Sequence, residues 1–314
     1  MCDEYFRSQD KARITNYEDI AYVVRQIKDG LTSEYENPAL LPLHERLTAT
    51  RTPDDLRRIV DASANYIDEV VRSLLSPAAL GPFEHLTAIV DAVRDDAVDD
   101  LTLATLNHDL VLERAFELSR VGLSDGFNDH FGTLRIWNDE YDVPGRKLLK
   151  LHGSIDWWRY FLTRDGWYGQ FTARAANGDP EHAHGPDGER LEGPALGRPL
   201  ILTGTFNKIL AYPTGVYADQ HFRFHEALQA ADVLVVIGYG FRDKAINARI
   251  VAWVERPGQR RMVVVHPDAE GVGRGARGAI RGKWDRWQHG GLLRFVPEYL
   301  TAQTTWDSIR TQIG

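Results

Sequence analysis

The chain has one cysteine, Cys2, among 314 residues. No intramolecular disulfide can form. Zinc sites built from four cysteines, or from two cysteines and two histidines, are excluded as well. Long hydrophobic runs are also missing. The purest apolar stretch, VLVVI at 233–237, is far too short to span a bilayer. The opening residues MCDEYFRSQDK are charged and carry no apolar core, so no secretory signal is expected there. Nor is positive charge in excess: a net charge of −8 argues against broad nucleic-acid binding and against docking on anionic lipid. A cytoplasmic protein with no membrane attachment and no direct nucleic-acid contact is expected. There is no internal repeat and no low-complexity tract. The apolar fraction, 43%, is that of an ordinary folded protein, and the length allows one large domain or two modest ones.

What is present divides into two parts. Residues 1–98 read as a mainly helical module. YEDIAYVVRQIKDG places Ile20, Val23, Val24 and Ile27 at helical spacing and ends on Gly30. TPDDLRRIVDASANYIDEVVRSLLSP opens with Pro53 and two aspartates, continues with Leu56, Ile59, Val60, Ile67, Val70 and Val71, and stops at Pro77. FEHLTAIVDAVRDD is a third helix. From residue 99 the pattern changes. Strands are expected at LTLATL (101–106), KLLKLH (147–152), PLILTG (199–204), VLVVIG (233–238), RMVVVH (261–266) and LLRFV (292–296), with helices between and after them. Buried, unalternating strands that alternate with helices predict a Rossmann-like α/β fold, with a mostly parallel sheet covered on both faces. Residues 159–198, rich in Gly, Pro, Asp and His, are expected to be a long, partly irregular excursion.

In open α/β sheets ligands sit at the carboxyl ends of the strands, and three clusters fall at such ends. In ATLNHDLVLERAF, Asn107 and Asp109 stand where a strand turns into a helix. Helix capping by Asp109, with Glu113 in the first turn, accounts for them structurally; an amide and a carboxylate facing a ribose or an attacking water accounts for them functionally. In KLHGS, His152 is either a structural polar residue or a base. Gly153 and Ser154 behind it permit close backbone approach to a ligand. Trp157 and Trp158 read as packing. In VLVVIGYGFRDKAIN, Gly238 and Gly240 follow a strand and precede a helix, which suits phosphate or ribose against backbone N–H groups. Asp243 and Asn247 have plain helical roles as the alternative. His182 and His184 in EHAHGPD lack any cysteine to support a metal site. The basic, Gly-rich GVGRGARGAIRGKWDRW (271–287) reads as a flexible solvated loop.

TLNHDLVLERAF, KLHGSIDWW and GYGFRDKAIN, in that order over about residues 100–266, resemble the sirtuin-like (silent information regulator) superfamily, and its bacterial NAD-hydrolase branch in particular. The resemblance implies a domain that binds NAD as substrate, without a metal, and cleaves its nicotinamide–ribose bond. It implies that Asn107 orients the attacking water or ribose, that Asp109 lies near the nicotinamide ribose, and that His152 is the general base. It implies further that Thr105, Ser154, Gly204, Gly238, Tyr239, Gly240, Phe241, Asp243, Asn247 and His266 contact the cofactor, the last beside the adenosine. The inventory suits the chemistry. Nicotinamide leaves as a neutral molecule and needs no general acid. The oxocarbenium-like transition state gains from nearby dipoles and negative charge, and a base then activates water or a hydroxyl.

Two features depart from the family pattern. Protein-deacetylating sirtuins carry a four-cysteine zinc module that this chain cannot form, which turns the expectation from deacylase to NAD hydrolase, and to an effector of anti-phage defence. The family also opens with a strand and a G-A-G-x-S loop that cradles the pyrophosphate. Here the first hundred residues hold only Gly30 and Gly81, neither after a strand. Either the loop is lost or the sequence starts within the fold, and a non-catalytic NAD or ADP-ribose binding module is the alternative. No sensor domain is recognisable, so control through a homo-oligomer or a separate regulatory protein is expected.

Overall fold

The computed structural model describes residues 17–32, 45–46, 49–75, 82–143, 145–164, 167–175, 178–195, 197–202, 215–258 and 260–314. Two amphipathic helices come first, α1 (Tyr17–Thr32) and α2 (Pro53–Leu74). Thr52 caps α2 by accepting from the Asp55 amide at 3.2 Å. Pro53 opens the helix, and Asp54 and Asp55 lie in its first turn, where negative charge offsets the unpaired amides. Val23 and Ile27 pack on Leu56 and Val60. α1 runs past Gly30 to Thr32. Ile20 and Ile59, at the margin of the apolar stripe, are exposed. A 3-10 turn at Glu84–Leu86 leads into α3 (Thr87–Arg94).

The remainder runs β1 (Leu101–Thr105), α4 (Val111–Leu118), β2 (Asp129–Phe131), β3 (Leu134–Ile136), β4 (Arg146–Lys150), β5 (Trp158–Arg164), β6 (Trp167–Ala175) and α5 (Gly215–Ala230). It continues with β7 (Val233–Ile237), α6 (Lys244–Val254), β8 (Arg261–Val265), α7 (Ala269–Gly275), α8 (Trp284–His289), β9 (Leu293–Val296) and α9 (Trp306–Ile313). The parallel strands form two pieces, β1–β4 and β7–β8–β9. Thr105 lies opposite Lys150 in the first, and Ile237 opposite Val265 in the second.

Helices cover both faces. On one face, α3 sends Ala88 into a cluster with Val263, Val265 and Val296, and sends Val90 and Val93 into a cluster with Leu101 and Leu103. On the other face, Phe224 and Leu228 of α5 pack with Leu149 and Leu151 and equally with Val236, Met262 and Val264. The same two helices thus hold both pieces from opposite sides, and the fold is Rossmann-like α/β. Successive residues of β8 point to opposite faces, and both faces are apolar. This is why its sequence shows no alternation.

Two expectations need correction. Residues 159–198 begin with two regular strands where none was expected. β5 and β6 pair antiparallel from Trp158↔Ala173 to Arg164↔Trp167, and with β2 and β3 they make a four-stranded antiparallel sheet in the order β2-β3-β6-β5. The aromatic and β-branched content of WRYFLTR and WYGQFTARA, with Asp165-Gly166 between them, is a hairpin signature. The stretch 271–287 is not a loop. It forms α7, a 3-10 turn at Gly278–Ile280 and the start of α8, because Trp284 and Trp287 anchor it in the main core. Gly273 packs so closely on the Trp284 indole that a Cβ would come within 2.5 Å of it. Lys283 Nζ and Trp287 Nε1 donate to Glu255 at 2.9 and 2.6 Å, and Arg286 joins them. The strand expected at 199–204 appears, among its described residues, as one bridge, Gly153↔Ile201.

Candidate functional site

The carboxyl ends of β1, β4 and β7 meet on one edge of the domain. After β1, the Thr105 carbonyl accepts from the Leu151 amide at 3.0 Å, and the Thr105 hydroxyl accepts from the Asn107 amide at 3.1 Å. These bonds turn the chain out of the sheet and leave Asn107 exposed. His108 folds inward and is buried, and its carbonyl accepts from Ile155 at 3.0 Å. Asp109 is half-buried. Its Oδ1 accepts from the Val111 amide at 3.0 Å, so it turns the chain into α4 from one residue ahead of the cap position, which Leu110 fills. Glu113 is in the first turn, as expected, but it is committed to a cation: Lys150, 2% exposed, donates to Glu113 Oε1 at 2.7 Å and also to the Asp109 carbonyl. Burial pushes the Glu113 carboxyl up, against the pull of Lys150.

β4 delivers His152 at the start of a tight turn. Gly153 leaves no room for a side chain: φ is +82°, and a Cβ would lie 2.0 Å from the Leu200 carbonyl oxygen. Glycine is therefore required by close backbone approach and by left-handed geometry together. The Leu202 amide donates to the His152 carbonyl at 2.8 Å, and the Ser154 amide to Leu200 at 3.1 Å. Ser154 is fully buried, and its hydroxyl donates to Asp156 Oδ1 at 2.5 Å. Arg174 of β6 donates to Asp156 at 2.6 Å and pairs with Asp125 as well. Burial would raise the Asp156 carboxyl, but Arg174 and Lys150 overcome it and hold it below the usual range. From the far side, α5 satisfies the strand end: Gln220 Oε1 accepts from the Lys150 amide at 2.9 Å, and His221 Nε2 lies 3.2 Å from the Leu151 carbonyl. α2 reaches this turn too, with Val71 packed on Ile155 and Ile201 and Asp68 paired with Arg198 at 3.2 Å.

After β7 the chain makes a strained turn. Gly238 has φ +66°, both Gly238 and Gly240 have open space where a Cβ would stand, and Phe241, wholly buried, is held at φ +52°. A bulky residue in that region is an outlier that persists only when its surroundings fix it, and such positions cluster at functional sites. The fixing is visible. Phe241 packs on Tyr239 and Trp284 with ring centroids 4.8 and 5.1 Å apart. Asn247, 1% exposed, donates to the carbonyls of Phe241 and Arg277 at 2.7 and 2.9 Å and accepts from the Tyr239 hydroxyl at 2.9 Å. All of its hydrogen-bonding capacity on this side is thus spent within the protein. Burial pushes the Tyr239 hydroxyl far up. Asp243 caps α6, with Oδ1 accepting from Ala245 and Ile246 at 2.9 and 3.1 Å. Its other oxygen, Oδ2, lies 3.3 Å from His152 Nε2. His152 is 3% exposed, and its ring is 6.2 Å from that of His108.

Of the residues expected from the sequence, the structure therefore brings together Thr105, Asn107, Asp109, His152 and Ser154 from the first piece with Gly238, Tyr239, Gly240, Phe241, Asp243 and Asn247 from the second. His266 is half-buried at the end of β8, where its Nδ1 accepts from the Asp268 amide at 3.0 Å. Gly204 lies outside the described residues. The ion network of Lys150, Glu113, Asp156, Arg174 and Asp125 was missed in the sequence. The one signal for it was a lysine inside an otherwise apolar strand, LLKL. Among the described residues no group of three or more His, Cys, Asp or Glu is placed to hold a metal, and His182 is exposed and paired with Asp179 at 2.8 Å. No helix among them is long and apolar enough to cross a membrane.

In open α/β proteins ligands bind at the carboxyl edge of a parallel sheet, where this chain gathers an amide, an imidazole–carboxylate pair and an open glycine turn. The chain belongs to the SIR2-like domain family, whose pattern it matches over residues 101–287. Membership in that family implies NAD as substrate or ligand. A search of curated proteins returned no match to this chain.

Proposed function

We propose that this protein is an NAD hydrolase that cleaves the nicotinamide–ribose bond to give nicotinamide and ADP-ribose. The observation that carries the reading is the convergence of three separated motifs on one sheet edge, with His152 of the second 3.3 Å from Asp243 of the third. Asn107, exposed after β1, orients the attacking water. The Asp109 carboxylate supplies negative charge beside the ribose as the oxocarbenium character grows. His152 takes the proton from water as the bond to ribose forms. The glycine turn 238–241 receives phosphate or ribose on backbone N–H groups, with His266 toward the adenosine. Thr105, Ser154 and Asn247 hold these loops from beneath. NAD supplies the scissile bond; the chain's own residues bind, orient and move the proton. We assign the helical part, 1–98, and the nucleotide-binding part, 99–314, as separate domains, and place the activity in anti-phage defence under the control of self-association or a partner chain.

The test is nicotinamide release from NAD. Wild type releases it, and His152→Ala abolishes release while calorimetry still detects NAD binding. Absence of release by wild type, at every protein concentration and with NAD bound, sinks the hydrolase. That outcome leaves a second reading, binding without turnover, which the burial of His152 favours.

A further inference from the structure

We propose that Asp243 is a positioning residue for His152: anchored by the N-terminus of α6, its carboxylate fixes the tautomer and orientation of the imidazole. This rests on the hydrolase reading for its catalytic consequence, but not for its geometry. The two carboxylate oxygens have separate partners. Oδ1 takes the amides of Ala245 and Ile246, which pins the side chain at the helix N-terminus. Oδ2 is thereby aimed at His152 Nε2, 3.3 Å away, from an element on the other sheet piece. The acidic residue of GYGFRDKAIN, expected to contact the cofactor, is thus given a positioning role. A hydrogen on Nε2 facing Oδ2 fixes one tautomer of the ring, and the carboxylate stabilises the imidazolium formed when the ring takes a second proton.

The surroundings make this contact matter. His152 is 3% exposed, so water contributes little to holding its charge. A proton on His152 would act against one on His221 of α5, and His108 faces His152 from the β1–α4 loop at 6.2 Å between rings. Arg249 of α6 acts on His221 in the same sense. Among these groups Asp243 is the one that favours the charged imidazole.

Asp243→Asn separates the two functions of the side chain. Asparagine caps as well as aspartate, so α6 and the melting temperature are retained. Its second atom becomes an N–H donor and cannot accept from Nε2–H. Nitrogen NMR of ring-labelled histidine, assigned with His152→Gln, then shows the Nε2–H tautomer in wild type and its loss in Asp243→Asn. Asp243→Ser, which also caps but is too short to reach the ring, gives the same loss. In nicotinamide release both variants lower kcat by about 10- to 100-fold with little change in KM, and the acid limb of the pH profile moves to lower pH. An unchanged His152 tautomer and pH profile in both variants overturns the proposal. If wild type releases no nicotinamide, the hydrolase reading falls, while the tautomer measurement still decides whether Asp243 positions the ring.

Discussion

His221 shows how one buried side chain can set the acid limit of the fold. It is 2% exposed, and burial pushes its imidazole down to about 4, with Arg249 and His152 adding repulsion. The unfolded chain titrates this group near the ordinary 6.5. Between about 6.5 and 4 the unfolded state therefore binds the proton and the folded state does not, so stability rises with pH across that window. No penalty is present above 6.5; stability is lost progressively as pH falls toward 4, by which point the loss approaches about 3 kcal/mol. Replacing His221 with Gln keeps a donor for the Leu151 carbonyl and removes the titration. Urea unfolding from pH 4 to 7 is expected to show the variant losing less stability on acidification than wild type. Parallel curves would show that His221 does not titrate with folding. His152 lies beside His221 at the same sheet edge, with His108 next to that ring.

At the scale of elements, the turn after β4 stands on an ion network rather than on apolar packing. Lys150 is as buried as a leucine would be, yet it bonds Glu113 of α4 and the Asp109 carbonyl. Removing one partner of a buried pair strands the other charge, at about 3–5 kcal/mol. Lys150→Met is expected to cost that much in denaturant unfolding. Adding Glu113→Leu is expected to restore most of it, because two well-packed apolar residues can replace a buried pair at little cost. If the double variant is as unstable as the single one, the pair is not the cause. The same contrast explains what the sequence disclosed. Val263, Val264 and Phe224 announce a sheet covered on both faces because apolar patterning is local. Gly153 and Gly238 announce turns because their backbones need φ above zero. Lys150 and Glu113 could not be paired by eye, since 37 positions separate them and only the parallel register of β1 and β4 brings the two elements together. β5 and β6 carried a hairpin signal, Asp165-Gly166 between aromatic runs, but the polar residues after them obscured it and the strands were not expected. The burial of His152 and the contact with Asp243 depend on two sheet pieces meeting, which no local signal carries.

For the whole molecule, the decisive arrangement is that the candidate site takes residues from both sheet pieces. Asn107 and His152 come from the β1–β4 piece, and Gly238 to Asp243 from the β7–β8–β9 piece. Among the described residues no strand joins the two. α3 and α5 connect them instead, through Ala88, Val90 and Val93 on one face and Phe224 and Leu228 on the other. A dinucleotide seated across the edge adds a third connection, so its binding is expected to stabilise the domain as a unit. At about 100 times its dissociation constant, a ligand specific to the folded state adds about 2.7 kcal/mol. The measurement uses His152→Ala, which does not consume NAD, together with hydrogen exchange read separately on β1, β4, β7 and β8. The expected result is increased protection in both pieces and a single, shifted unfolding transition. Protection confined to β7 and its turn would mean that the ligand sits on one piece alone, in which case Asn107 and His152 do not face it and the catalytic assignment fails with them.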